Sequence, residues 1–253
     1  MSSIHIKSPD EIGLMRHGGK ILSDVLWEVL AQVKPGVSEL EIDALAESRI
    51  REKGGEPGFK KVKGYHHTLC ICTNDVVVHG IPSTYTFQEG DVVCIDGGVY
   101  YGGFHTDMAE TIIVGKASRE VEEFVETGKR ALDAAIKVAK VGNRIGHIAK
   151  TIQDIVEKEK GYGVVRNLVG HGVGRQLHEE PQIPGFLSGK IEKTLPLRPG
   201  MTIAIEVIYT MGKRDVVYKG TDDWTIVTKD GSLSAVFERT VLLSEQGPEV
   251  LTP

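Results

Sequence analysis

The stretch Asp91-Val92-Val93-Cys94-Ile95-Asp96-Gly97-Gly98-Val99-Tyr100-Tyr101-Gly102-Gly103-Phe104-His105-Thr106-Asp107-Met108-Ala109-Glu110-Thr111-Ile112-Ile113-Val114 reads as a β-hairpin. Val92 to Ile95 lead in, Gly102-Gly103 makes the turn, and Thr111 to Val114 lead out. Each arm carries an acid, Asp96 and Asp107, where a strand favours β-branched and aromatic side chains. A carboxylate buried there without a partner is expensive. The two acids flank one turn, so they can face each other across the ladder, and like charges so placed repel unless a cation lies between them.

The same anomaly recurs downstream. Glu206 interrupts Met201-Thr202-Ile203-Ala204-Ile205-Glu206-Val207-Ile208-Tyr209, and Glu238 interrupts Ser234-Ala235-Val236-Phe237-Glu238-Arg239-Thr240-Val241-Leu242-Leu243. A basic partner or solvent exposure would account for any one such acid. Arg239 does not answer for Glu238, because adjacent strand residues face opposite ways. His171 lies in Val169-Gly170-His171-Gly172-Val173-Gly174, and its glycine neighbours strip away side-chain bulk, which suits close approach of a ligand or metal. His178 follows in the same region. One imidazole and four carboxylates form a hard, oxygen-rich set that favours divalent Mn, Fe, Co or Zn over a thiolate-type site. Four negative charges balance two divalent cations, so a two-metal site is the economical expectation.

Outward from these strands, the order helix, helix, strands occurs twice. Ser8, Pro9, Asp10 and Glu11 open a first helix whose apolar face runs from Ile12 to Leu30, and Ser38-x-x-Glu41 caps a second that ends at Gly54-Gly55. Strand-like runs follow around Cys70–Cys72 and from Asp75 to His79. Later helices are predicted over 118–140 and 144–160, and later strands over 202–209, 224–228 and 233–243. Gly36, Ile42, Ile50 and Gly55 are echoed by Gly142, Ile148, Val156 and Gly161 at one constant offset. The prediction is an α+β fold, one domain over residues 1–253, with two related halves of helices packed on a curved, mostly antiparallel sheet.

Composition narrows the function. Forty per cent hydrophobic and 26% charged residues exclude disordered, collagen-like and membrane-embedded chains. The net charge of −5 gives no support to nucleic-acid binding by the whole protein. Three cysteines point to reduced thiols in the cytoplasm. Residues 1–10 show no signal-peptide pattern, and the first helix is too charged to span a bilayer. There is no HExxH and no Walker A loop, and the glycine loop lacks a dinucleotide-binding context. His66-His67-x-x-Cys70-x-Cys72 does not have zinc-finger spacing, and Cys70 and Cys72 read as strand residues on one face.

The order Asp96, Asp107, His171, Glu206, Glu238 is similar to the ligand order of the pita-bread metallopeptidases. Asn74-Asp75-Val76-Val77-Val78-His79-Gly80-Ile81-Pro82, Gly170-His171-Gly172-Val173-Gly174, His178-Glu179-Glu180-Pro181, Gly200-Met201-Thr202-Ile203 and Leu233-Ser234-Ala235 resemble the type I methionine aminopeptidases. The resemblance runs from the first helix to Leu243. The chain has no room for the extra N-terminal domain of prolidases, creatinases and aminopeptidase P, or for the inserted subdomain of type II enzymes. It also lacks the zinc-finger extension of some eukaryotic type I enzymes.

The resemblance implies a pita-bread fold and removal of the initiator methionine from nascent proteins whose second residue is small. It implies Asp96 on one metal, His171 and Glu206 mainly on the other, Asp107 and Glu238 bridging both, and attack by a bridging hydroxide. Glu206 would carry the proton to the leaving amine, His178 would hydrogen-bond the carbonyl oxygen, and His79 would contact the substrate amide or tetrahedral centre. Cys70, Tyr65 and Trp224 would hold the methionine side chain, with a plain core role the alternative for Trp224. Asn74, Val76 and Ser234 would supply oxygens to a monovalent cation. Leu177, where an aromatic is common, Val207, where proline is usual, and the segment from Phe59 to His67, which is only loosely similar, depart from the pattern and bear on the pocket. A monomer working at the ribosome, without nucleic-acid readout or membrane contact, is the expected setting. The competing readings are an X-Pro peptidase, a pita-bread binding protein without catalysis and, more distantly, a dinuclear iron protein, whose ligands would sit on helices.

Overall fold

The computed structural model describes residues 4–220 and 222–253, so the first three residues of the segment read for a leader lie outside it. Two helices come first, α1 (Pro9–Leu30) and α2 (Glu39–Glu52), followed by β1 (Glu56–Pro57), β2 (Leu69–Thr73), β3 (Val76–Val78) and the hairpin β4 (Val92–Tyr101) and β5 (Phe104–Ile113). A second helix pair, α3 (Arg119–Val138) and α4 (Ile145–Gln153), precedes β6 (Gly163–Val164), β7 (Gly170–Gly172), β8 (Glu179–Ile183) and β9 (Thr202–Thr210). Then come β10 (Val216–Tyr218), β11 (Ile226–Thr228), β12 (Ser234–Ser244) and β13 (Gly247–Val250). The helix predicted to reach residue 160 changes character at its end, where α4 passes into a π-helical turn, Asp154–Glu159.

α1 and α2 start at full capping boxes. Ser8 and Ser38 accept from the N–H of Glu11 and Glu41, whose carboxylates reach back to the cap N–H, so two otherwise orphaned donors are satisfied at each end. The main sheet runs β1-β4-β5-β12-β9-β7-β8, with β2 on β4, β6 on β9 and β13 on β12. All these pairs are antiparallel. A smaller sheet, β10-β11-β3, packs on it through Val77, Val78 and Ile226, which meet Cys72, Cys94 and Val236.

Strand alternation sorts the main sheet into two faces. Val93, Ile95 and Val99 of β4 and Met108 of β5 pack with Leu22 and Leu26 of α1 and Ile42 and Ile50 of α2. Ile203, Ile205 and Val207 of β9 and Phe237 of β12 pack with Phe124 of α3 and Ile148 of α4. Each such side chain contributes about 1.5–3 kcal/mol on full burial, so the helix-covered face carries much of the stability. The intervening residues, Asp96, Asp107, Ala109, Glu206 and Glu238 among them, must turn to the opposite face.

The echo between halves is structural. Gly36 and Gly142 both turn at positive φ, 89° and 92°. Ile42, Ile148, Ile50 and Val156 are all buried. Val37 O accepts from Phe87 N–H, and Asn143 O from Leu197 N–H, so each helix pair is stitched at the same point to the turn before its long strand. One half supplies Asp96 and Asp107, the other Glu206 and Glu238. Among the described residues no helix is long and apolar enough to cross a membrane.

Candidate metal centre and the cleft above it

Register assembles the site. Cys70 lies opposite Asp96, Asp96 opposite Ala109, Ala109 opposite Glu238, and Glu238 opposite Glu206. Directly paired residues share a face, so one row crosses β2, β4, β5, β12 and β9. Asp107 is two residues from Ala109, and His171 sits opposite Ala204, two residues from Glu206, which puts both on that face. Ala109, small and central, leaves space between the acids. Asp96 and Asp107 do not face each other directly, as the sequence reading expected. Asp107 pairs with Gly98, and the two acids are diagonal neighbours.

Ligand atoms of Asp107, His171 and Glu238 lie within 4.8 Å of one another. His171 Nε2 is 3.4 Å from Glu206 Oε1 and 3.8 Å from Asp107 Oδ2. His171 Nδ1 lies 2.8 Å from the carbonyl oxygen of Gly172, which can only accept, so Nδ1 carries the proton and Nε2 offers its lone pair to the acids. Burial, and then the nearby His178, hold His171 down to about 3, so at neutral pH it does not neutralise these carboxylates. The glycines beside it serve packing more than ligand access. A Cβ on Gly170 would stand 2.4 Å from Ala204 O, and one on Gly172 would stand 2.2 Å from Glu180 O.

The electrostatics ask for cations. Burial pushes Asp107 up to about 7. Burial, then Asp107 and Glu206, push Asp96 well above the carboxylate range. Burial and then Asp107 do the same to Glu206, and burial, then Asp107, Glu206 and Asp96 to Glu238. Asp96 Oδ1 and Glu238 Oε1 are buried with no hydrogen-bond partner. Among the described residues no lysine or arginine forms an ion pair with these four acids; Asp107 and Glu206 instead approach neutral His171. Orphaned carboxylate oxygens and a neutral imidazole lone pair fit hard divalent ions.

The cleft above this row is apolar. Tyr65, Cys70, Phe59 and Leu177 form one buried cluster with Val62 and Trp224 at its edge, and all of these line the cleft with the acids, His79 and His178. Tyr65 OH donates to Leu69 O at 2.7 Å, and its ring meets Trp224 edge-on at 5.1 Å. Trp224 also stands 6.4 Å from the His79 ring and is only half-buried, so it is a wall of the cleft and not a core aromatic. His79 directly follows β3 in the left-handed region, φ 56°, a conformation a non-glycine residue holds only when its surroundings enforce it. The His178 ring stands 4.4 Å from that of His171. Burial lowers His178, while burial and then His178 lower His79.

Within the loosely similar segment from Phe59 to His67, the sequence singled out neither Phe59 nor Val62 as lining the cleft. They sit in and after a single 3-10 turn with no periodicity to betray them. The signal lay in Gly98, where a Cβ would come 2.9 Å from the Phe59 ring. Of the two single-residue departures, only Leu177 reaches the pocket. Val207 packs into the helix-side core, away from the cleft. Cys72 and Cys94 also line the cleft. His67 instead approaches Asp43 at 3.5 Å, and no zinc cluster forms there among the described residues. Asn74 O accepts from Ser234 N–H at 2.8 Å, and Val76 O from the Ser234 hydroxyl at 2.7 Å, so these three residues do converge.

Residues 13–245 match the model of metallopeptidase family M24. The chain belongs to that family. It is 43% identical over 250 residues to the methionine aminopeptidase of Clostridium perfringens, covering 98% of each protein. It is 40% identical to methionine aminopeptidase 1 of Bacillus subtilis, covering 97% of this chain and 98% of that one. The crystal structure of methionine aminopeptidase from Thermotoga maritima superposes with a TM-score of 0.95 at 41% identity, over 99% of both chains. The prolidase from Pyrococcus horikoshii, 24% identical with a TM-score of 0.78, shares the fold, and this chain covers 63% of it. The pita-bread arrangement of helices on a mostly antiparallel sheet is thus the fold observed.

Proposed function

We infer that this protein is a methionine aminopeptidase, a metal-dependent hydrolase that removes N-terminal methionine from peptides and nascent proteins whose second residue is small. The observation that carries the reading is the row of four acids and one neutral histidine, without a lysine or arginine paired to them among the described residues, at the floor of an apolar cleft. Asp96, Asp107, His171, Glu206 and Glu238 would hold two divalent ions of Mn, Co, Fe(II) or Zn. When bound, the ions would lower the pKa of a shared water and polarise the scissile carbonyl.

The chain's own residues divide the remaining work. Glu206, opening slightly to the cleft, is the proton carrier to the leaving amine. Neutral His178 offers a ring N–H to the carbonyl oxygen as charge develops there. His79, fixed by its backbone at the cleft wall, meets the substrate amide or tetrahedral centre. Tyr65, Cys70 and Trp224, joined by Phe59, Val62 and Leu177, enclose the methionine side chain. Asn74, Val76 and Ser234 are the site proposed for one monovalent cation. The proposal includes one catalytic domain over residues 1–253, working as a cytoplasmic monomer near the ribosome.

The test is direct. Metal-free protein is supplied with Mn, Co, Fe(II) or Zn in turn, and methionine release is followed from Met-Gly-Met-Met, with Met-Lys and an Ala-Pro peptide as controls. Metal-dependent release of methionine from the first peptide alone is the expected result. Cleavage of the Ala-Pro peptide would favour the X-Pro reading, and metal binding without any release would favour a non-catalytic one. His178→Ala should retain both ions and lower kcat by about 10²–10³-fold; loss of the ions would show that its role is misassigned.

A further inference from the structure

The mechanism makes no use of Lys7, whose side chain is only 2% exposed. An ammonium so buried is strongly unfavourable unless a carboxylate and further acceptors meet it. Lys7 Nζ donates to Glu179 Oε2 at 2.8 Å and to His5 O at 3.3 Å. Glu179 directly follows His178, and its other oxygen, Oε1, accepts from the Gln176 N–H at 3.0 Å. One carboxylate therefore ties Lys7 to positions on both sides of His178.

The loop is shaped around this contact. A Cβ on Gly174 would stand 2.6 Å from Lys7 Cε and Nζ, so only glycine lets the lysine lie across the loop. The lysine's own segment is pinned. Lys7 N–H donates to Gly200 O at 2.9 Å, and a Cβ on Gly200 would come 2.6 Å from Ile6 Cγ2. The next residue, Ser8, caps α1, and Glu11 in its first turn pairs with Arg175 of the same loop at 2.8 Å. His105 N–H donates to Gly174 O at 2.7 Å. The segment before α1 and the first turn of α1 are thus each bound to the loop by an ion pair, the first of them buried.

We propose that Lys7 is a positioning residue for His178, acting through Glu179 to fix residues 174–179 so that the His178 ring is held over the metal row. The proposal rests on the reading of His178 as the donor to the substrate carbonyl. Displacement of such a group by about 1 Å can cost about 10²-fold in rate, so the buried pair matters for catalysis beyond its effect on stability.

The experiment compares wild type, Lys7→Met, His178→Ala and the double variant, each loaded with Mn and assayed on Met-Gly-Met-Met. Lys7→Met should lower kcat by about 10–100-fold, with KM little changed and two ions still bound. In the His178→Ala background the same change should have no further effect on kcat. Glu179→Gln should reproduce the loss. If Lys7→Met melts below the assay temperature, Lys7→Met/Glu179→Gln, which removes both charges, takes its place in the comparison. Full kcat in Lys7→Met would overturn the proposal, as would an equal further loss in the His178→Ala background. Full kcat in His178→Ala would be a different result, overturning the role of His178 itself and with it any positioning of it.

Discussion

Glu238 and Arg239 are neighbours on β12 and meet opposite surroundings. Arg239 turns to the helix-covered side, where it donates to Glu110 Oε2 at 2.6 Å and to Ala109 O at 3.0 Å. Lys129 stands 3.7 Å from the other oxygen of Glu110. Glu238 turns to the cleft, where its Oε1 has no partner, like Asp96 Oδ1 across the row. Both faces of one sheet bury acids. On one face the chain supplies the cation; on the other it supplies more acids and a histidine that stays neutral. An acid whose charge the fold itself balances is part of the structure. An acid left unbalanced beside three others marks a place for something the chain does not encode.

The largest effect that separates the two faces is expected for Asp107→Ala. Turnover should fall below detection and bound metal below two ions per chain, by elemental analysis. Two ions retained by that variant would count heavily against the site. On the other face, Arg239→Met leaves Glu110 without its closest partner and should destabilise by about 3–5 kcal/mol in denaturant titrations. It should leave metal stoichiometry and kcat unchanged wherever the protein is folded.

Divalent metal at about 100 times its Kd should stabilise the wild type by about 2.7 kcal/mol, raising Tm by several degrees, and should not stabilise Asp107→Ala. A smaller effect sharpens the contrast further. In metal-free protein, Glu238→Gln removes a carboxyl that burial and its acidic neighbours keep from ionising as it would in the unfolded chain, and should stabilise by about 1 kcal/mol. Glu110→Gln should destabilise, because it strands Arg239. The same sign for both substitutions would erase the distinction between the faces.

The pH dependence follows from the same groups. Burial pushes Asp107 up to about 7, so the folded protein keeps a proton that the unfolded chain has released by about pH 4. The lowered histidines, His171, His79, His105 and His178, act in the opposite direction, with an effect that fades as pH rises past about 6.5, where an unfolded histidine gives up its proton. Above that pH the four raised acids outweigh them. The folded state then binds more protons than the unfolded one, and metal-free stability should fall as pH rises through about 7. Saturating metal, which binds the deprotonated ligands, should abolish that fall. Denaturant midpoints at pH 6.5 and pH 8 would measure it.

Much of this was legible in the sequence. Acids inside β-branched runs stand out because strands disfavour them, and the capping boxes at Ser8 and Ser38 are local signals that no distant contact overrides. The opposition of Glu238 and Arg239 follows from period-two alternation alone. The diagonal placement of Asp96 and Asp107 was also available, since a two-residue turn at Gly102-Gly103 fixes the register of the whole hairpin. What could not be read are contacts between distant segments. The pairing of β12 with β9, which sets Glu238 opposite Glu206, depends on tertiary packing. Lys7 and Glu179 lie 172 residues apart with no motif linking them, and Phe59 enters the cleft from a turn without pattern.

The central claim is that the unbalanced face is completed by two divalent ions. It is tested most directly by titrating metal-free protein with Mn while counting bound ions and following methionine release from Met-Gly-Met-Met. The account predicts no release from the metal-free protein, activity that rises with occupancy, saturation of binding at two ions per chain, and neither binding nor activity in Asp107→Ala. Full turnover by protein stripped of metal, or by Asp107→Ala, would contradict it.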